Sequence, residues 1–142
     1  MKNNFYLLLI TLLIVAAGCK KTTTDPVVLP EGKFTGTFVR LHLNPITNKL
    51  DTATANLIFN ISAATGYAIT GDTSVFHAGS HGSMVVDGTF AQFSDQTLTP
   101  NTPLYPGKVH LAGIYNYSYN GKNFNFAINN DTLGFYYNLQ RQ

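Results

Sequence analysis

Two histidines four residues apart, His77 and His81, have the spacing that most resembles a metal site. On a helix this spacing places both rings on one face, as in many zinc sites. Here the segment between them contains glycine and lies in a predicted loop, and no third ligand has a fixed spacing. Structural zinc is almost always held by four protein ligands. We therefore interpret the pair as polar residues of a surface loop, and we predict no metal and no cofactor.

Three aspartates, Asp72, Asp87 and Asp95, are the carboxylates that could supply an acid–base pair for glycoside hydrolysis. Each lies beside a predicted turn, where an aspartate side chain commonly bonds to nearby backbone. The sequence has no Gly-x-Ser-x-Gly pattern and no glycine loop that precedes a helix. With no nucleophile–base or acid–base set in view, we predict no catalytic residues and a protein that is not an enzyme.

Cys19, the single cysteine, follows a short basic start and an apolar run from Phe5 to Ala17. This run is shorter than the ~20 residues that span a bilayer and fits the core of a secretory signal peptide. Ala16-Ala17-Gly18-Cys19 resembles the lipobox of bacterial lipoproteins, although Ala16 stands where leucine is usual. The resemblance implies a signal peptide over residues 1–18 and acylation of Cys19, with diacylglycerol and palmitate as the attached lipids. Ordinary signal-peptidase cleavage, leaving a free thiol, is the alternative.

Residues 19–30 follow as a predicted flexible tether, and residues 31–142 have the length of one domain. Only 11% of the chain is charged, and it has no basic stripe, so we expect no nucleic-acid partner. The expected location is the bacterial cell envelope, with the protein lipid-anchored and facing the periplasm or the cell surface. The expected partner is the membrane, reached through acylated Cys19, and the oligomeric state stays open.

Apolar and polar residues alternate through the domain, and no stretch keeps a helical period for ten residues. Alternation with period two is typical of strands that bury one face. We predict strands over 32–43, 52–61, 67–72, 83–87, 89–94, 109–119 and 122–128, and a last strand after the turn at 129–131. Eight antiparallel strands in meander order favour a closed up-and-down barrel, and a β-sandwich is the alternative.

Two local features refine this prediction. In the first strand the apolar face changes after Phe38 to Val39 and Leu41, which predicts a bend or bulge near Gly36 to Val39. The dipeptide Asn120-Gly121 predicts a two-residue hairpin turn that places Tyr117 opposite Phe124 and Tyr115 opposite Phe126.

The segments Lys33–Phe38 and Leu111–Tyr117, the latter followed by Asn120-Gly121 and Phe124, resemble the opening strand and the late hairpin of small lipocalin-like bacterial lipoproteins. The resemblance spans most of the domain and implies a lipocalin-like barrel. It implies ligand binding as the activity, in a family whose members mostly have no assigned ligand. No functional residue carries over from it.

A cluster of aromatic residues is predicted to point inward and could line a cavity for a small apolar ligand or lipid. Its members are Tyr115, Tyr117, Phe124, Phe126, Phe135 and Tyr137. The histidine loop and the proline-rich loop at 95–107 are the candidate entrances. A barrel of eight strands can also be filled by its own side chains. A structural or protein-interaction module of the cell envelope is therefore the alternative function.

Two further short motifs, Asp51-Thr52-Ala53 and Asp131-Thr132-Leu133, resemble an O-glycosylation signal of exported bacterial proteins. Each also fits a turn that ends in aspartate before a strand that opens with threonine. Whether Thr52 and Thr132 are glycosylated stays open.

Overall fold

The computed structural model describes residues 27–98 and 107–142. Cys19 and the predicted signal peptide lie outside the described residues. The described chain forms eight strands: β1 (Gly32–Asn44), β2 (Lys49–Ser62), β3 (Gly66–Gly71), β4 (His81–Val86), β5 (Phe90–Asp95), β6 (Gly113–Tyr119), β7 (Asn123–Asn129) and β8 (Leu133–Arg141). Each strand pairs antiparallel with the next and β8 pairs with β1, so the sheet closes into an up-and-down barrel. This confirms the predicted all-β barrel and excludes the alternative, a β-sandwich.

The two ends of the barrel differ. At the proximal end the chain enters β1 from the predicted tether, and the connections 62–66, 86–90 and 119–123 lie at this end. The connections 44–49, 71–81 and 129–133 lie at the distal end, as do the described residues 95–98 and 107–113 between β5 and β6.

Aromatic rings fill the interior between these ends. Phe126 stacks on Tyr137 with ring centroids 4.4 Å apart, and Phe59 meets Phe126 edge to face at 6.0 Å. Phe34 and Phe38 on β1 are fully buried in the same cluster. Such offset and edge-to-face pairs stabilise beyond the area that they bury, so the centre of the barrel is a packed core.

β1 is continuous, and the predicted bulge between Gly36 and Val39 is wrong. Its register is unbroken against β2 and against β8. A Cβ at Gly36 would lie 1.9 Å from the carbonyl oxygen of Asn138, so glycine is required there by the close approach of β8. Because side chains alternate along an unbroken strand, Arg40 and His42 continue the inner face of Phe38.

The β6–β7 hairpin also differs from its predicted register. Tyr119 lies opposite Phe124, and Tyr117 lies opposite Phe126. The central turn residues are Gly121 and Lys122, with φ of +85° at Gly121, as in turns with glycine at the first central position. The Asn120 side-chain oxygen accepts from the amides of Lys122 and Asn123, which takes Asn120 out of the centre of the turn. The shift is two residues, so the predicted inner face is preserved.

Two segments of the distal connections fold into the barrel end, and we call residues 73–80 and 107–112 the distal plug. His77 and Val109 form a parallel bridge, with backbone hydrogen bonds from Ala78 N to Val109 O and from Val109 N to Phe76 O, each 2.8 Å. β6 therefore begins at Gly113, not at Val109 as predicted. His77 is fully buried, so its assignment to a surface loop is also wrong.

Candidate functional site at the distal end

The plug is anchored to the core by His77. Its Nδ1 bonds to the carbonyl of Ala78, and its Nε2 lies 2.9 Å from the hydroxyl of Tyr137. A carbonyl can only accept, so Nδ1 donates and Nε2 accepts from Tyr137. Burial lowers the pKa of His77 to about 4, outweighing the bond to Ala78, which favours the charged form. His77 is therefore a neutral packing residue that contacts Phe38 edge to face.

A second anchor is the side chain of Asp95, which is fully covered. His110 Nδ1 donates to it over 2.9 Å, and Thr97 donates through its hydroxyl and its backbone amide. Burial raises the pKa of Asp95, but the hydrogen bonds from Thr97, Ser80 and His110 outweigh it and hold the pKa below its usual value. Ser80 also accepts from the amide of Leu111, so the carboxylate joins both plug segments.

Of the three aspartates considered for an acid–base pair, Asp87 and Asp95 lie far apart. Asp87 caps a turn at the proximal end, where it accepts from the amides of Thr89 and Phe90. Asp95 lies at the distal end, across the length of the barrel. In the Asp95 cluster, the Ser80 hydroxyl and the His110 ring both bond to the carboxylate. These contacts give the aspartates structural roles at turns and in the plug.

A pocket of about 280 Å³ lies beside the plug, and we call it the distal pocket. β1 contributes Arg40 and His42, β8 contributes Leu133 and Phe135, and the plug contributes residues 107–109. Val109 and Phe135 are buried and form an apolar floor. An apolar cleft with a few convergent polar groups is the usual form of a small-molecule site, and the volume is near the lower end of the common range.

Arg40 is held at this pocket by two contacts. Its Nη2 lies 3.1 Å from Asp51 Oδ2, and its guanidinium lies 5.5 Å from the ring centroid of Phe76. Within the described residues, Arg40 Nε is buried and has no hydrogen-bond partner. On the plug, Lys108 Nζ donates to the carbonyl of Thr73 over 3.0 Å. Arg40 and Lys108 thus both line one small, largely apolar pocket.

The aromatic cluster that we predicted to bind ligand is placed mainly in the packed core. Tyr115, Phe124, Phe126 and Tyr137 are at most 3% exposed, and Tyr117 is half-buried. Phe135 is the member that lines the distal pocket. Ligand binding by the full cluster stays a prediction.

Sequence reasoning missed Arg40, His42 and Lys108. The signal for Arg40 and His42 was present, because an unbroken period of two places both on the face of Phe34 and Phe38. The predicted bend or bulge would have placed both side chains on the outer face of the barrel. Lys108 had no signal, since it lies between the proline-rich loop at 95–107 and the predicted strand that begins at Val109.

The remaining candidates lie at the surface. Thr52 and Thr132 are exposed, as is His81 at the start of β4. Within residues 27–98 and 107–142, no three His, Cys, Asp or Glu side chains are grouped so as to hold a metal ion. The same residues contain no helix long and apolar enough to cross a membrane.

Comparison with known proteins gave no match to a family model, to a curated protein or to a solved structure.

Proposed function

We propose that this chain is a lipid-anchored, lipocalin-like protein of the bacterial envelope that binds a small, largely apolar ligand and catalyses no reaction. The observation that carries the proposal is the distal pocket, which combines an apolar floor with a few polar groups at the mouth of a rigid barrel. Anchoring at Cys19 would place this pocket on the side of the barrel that faces away from the bilayer.

Filling the pocket tests this proposal. Leu133 is half-buried at the mouth, so Leu133→Trp occupies the pocket without cutting into the core. Leu50→Trp is the matched control, because Leu50 is 60% exposed and does not line the distal pocket. Decanol and decanoate are titrated into each protein and followed by NMR. We expect binding to the wild type and to Leu50→Trp, and its loss in Leu133→Trp. Equal binding by all three proteins would place the site elsewhere.

A structural or interaction module is the second candidate, and the outer surface of the distal end favours it. Ile46 is 93% exposed and Leu50 is 60% exposed where β1 and β2 project beyond their neighbours. β3 pairs with β2 from Leu57 onward, so the described structure leaves the preceding edge of β2 without a neighbouring strand. Free strand edges readily pair with other chains. Under this alternative, Ile46→Asp and Leu50→Asp should abolish the interaction with the other chain, whereas Leu133→Trp should leave that interaction unchanged.

A further inference from the structure

The distal pocket has a basic rim over its apolar floor. Arg40 and Lys108 carry positive charges, and His42 adds a polar ring beside them. Val109, Leu133 and Phe135 supply the apolar surface. A ligand that matched only the floor would make no contact with these charged groups, whose partners in the structure are Asp51 and the carbonyl of Thr73.

Arg40 has N–H donors that make no hydrogen bond within the described structure. A guanidinium carries five N–H donors in a rigid fork. The structure shows one bonded to Asp51, and Nε without a partner among the described residues. Lys108 uses one of its three donors on the carbonyl of Thr73. The two side chains can therefore serve a further acceptor with negative charge.

Asp51 is the ion-pair partner of the Arg40 guanidinium. Its side chain is 63% exposed, so the ion pair lies at the rim, where such pairs contribute little. An incoming anion can replace or join this carboxylate at small cost. The Asp51 carboxylate thus contacts the guanidinium that would bind the head group of a ligand.

We propose, on the basis of the function proposed above, that the distal pocket takes a single-chain amphiphile with an anionic head group. Arg40 and Lys108 bind the head, and the first part of the tail lies on Leu133 and Phe135. The head is a carboxylate or a phosphate monoester, since both offer the oxygen pair that a guanidinium fork binds. The three charges at the rim, Arg40, Lys108 and Asp51, sum to plus one, which disfavours a cationic amphiphile.

Four probes with one tail length isolate the contribution of the head group: decanoate, decyl phosphate, decanol and decyltrimethylammonium. Each is titrated below its micelle concentration by calorimetry and NMR. We expect the better anion to bind at least tenfold more tightly than decanol, a difference of about 1.4 kcal/mol. The cation should bind more weakly than decanol. The order of the two anions distinguishes a fatty acid from a phosphate lipid as the source.

Three variants locate the effect. Arg40→Met keeps an apolar stem over Phe76 and should weaken anion binding toward that of decanol, with Lys108 alone left to bind the head. Asp51→Asn removes the competing carboxylate and should tighten anion binding about threefold or more, equivalent to about 0.7 kcal/mol. Lys33→Gln is the control, because Lys33 is an exposed cation at the proximal end and should change nothing. Thermal unfolding of each variant confirms that it is folded.

The outcomes separate the two proposals. Equal affinity for decanoate, decyl phosphate and decanol would overturn the anionic head group while leaving apolar binding intact. A preference for anions that survives undiminished in Arg40→Met and is unchanged by Asp51→Asn would also overturn it. Failure of all four probes to bind the folded wild type would overturn the ligand-binding function itself.

Discussion

At the scale of single residues, burial decides what the polar side chains of this barrel do. His77 is one member of a pair with metal-site spacing, yet both of its ring nitrogens are hydrogen-bonded, Nδ1 within the plug and Nε2 to Tyr137 of β8. Its partner in sequence, His81, is exposed on β4. The two aspartates differ in burial in the same way. The Asp95 side chain is buried and hydrogen-bonded, whereas Asp87 lies in an exposed turn.

His77 predicts an acid-dependent loss of stability. Its folded pKa of about 4 lies below the ordinary value of 6.5, so the unfolded chain binds more protons between these values. The contribution of His77 is therefore complete above pH 6.5 and is lost as the pH falls toward 4. A shift of this size corresponds to about 3 kcal/mol, at about 1.4 kcal/mol per pH unit. Chemical denaturation between pH 4 and 7 measures it.

The comparison uses two variants. His77→Phe retains a ring against Phe38 and should flatten the pH dependence across this window, whereas His81→Gln should leave it as in the wild type. The lowered pKa values of Asp87 and Asp95 affect stability mainly below their ordinary value of 3.8, so they contribute only at the acid end of this window, and equally in both variants. An unaltered pH dependence in His77→Phe would contradict the assignment.

At the scale of elements, turn chemistry fixes the β6–β7 hairpin. Gly121 has φ of +85° and open space around its missing Cβ, so the constraint there is conformational and not steric. Lys122, the next residue of the turn, has no positive φ. One position of the pair thus requires glycine and the other does not.

Gly121→Val should destabilise the barrel by about 2 kcal/mol, because a residue with a Cβ is strained in this backbone region and a β-branched one more so. Lys122→Val places the same side chain one residue later and should cost much less. Thermal unfolding of both variants measures the difference, expected as a fall of several degrees for Gly121→Val alone. Equal midpoints for the two variants would show that the turn is not built as described.

At the scale of the whole molecule, the barrel has a proximal end that receives the predicted tether and a distal end that carries the plug and the pocket. This polarity follows from strand direction, since β1 begins at Gly32 on the proximal side and every second connection returns there. A lipid-anchored protein with this topology exposes its distal pocket to the aqueous compartment.

The anchor prediction is tested at Cys19. Cys19→Ser should move the protein from the membrane fraction to the soluble fraction, because the acyl chains supply the binding free energy. A double Lys20→Gln and Lys21→Gln variant should stay with the membrane, since two lysines add little beside acyl chains. Retention of Cys19→Ser on membranes after a salt wash would mean that another part of the chain holds it there.

The sequence by itself determined the strand content, the meander order and the inward-facing residues of the later strands. Alternation of period two is a local property, so Phe124, Phe126 and Tyr137 were assigned to the core correctly. The two-residue shift in the hairpin left these assignments intact because it preserves parity.

Tertiary structure alone decided the rest. The need for glycine at Gly36 comes from the backbone of β8, which lies about a hundred residues away in the chain, and this contact keeps β1 unbroken. The burial of His77 depends on a bridge to Val109, which no local pattern encodes. The distal pocket combines Arg40, Lys108 and Phe135, which meet only because the barrel closes β8 onto β1 and the plug folds into its end. Pairing between residues distant in sequence is set by the closure of the sheet. The sequence pattern of a single strand does not predict this pairing.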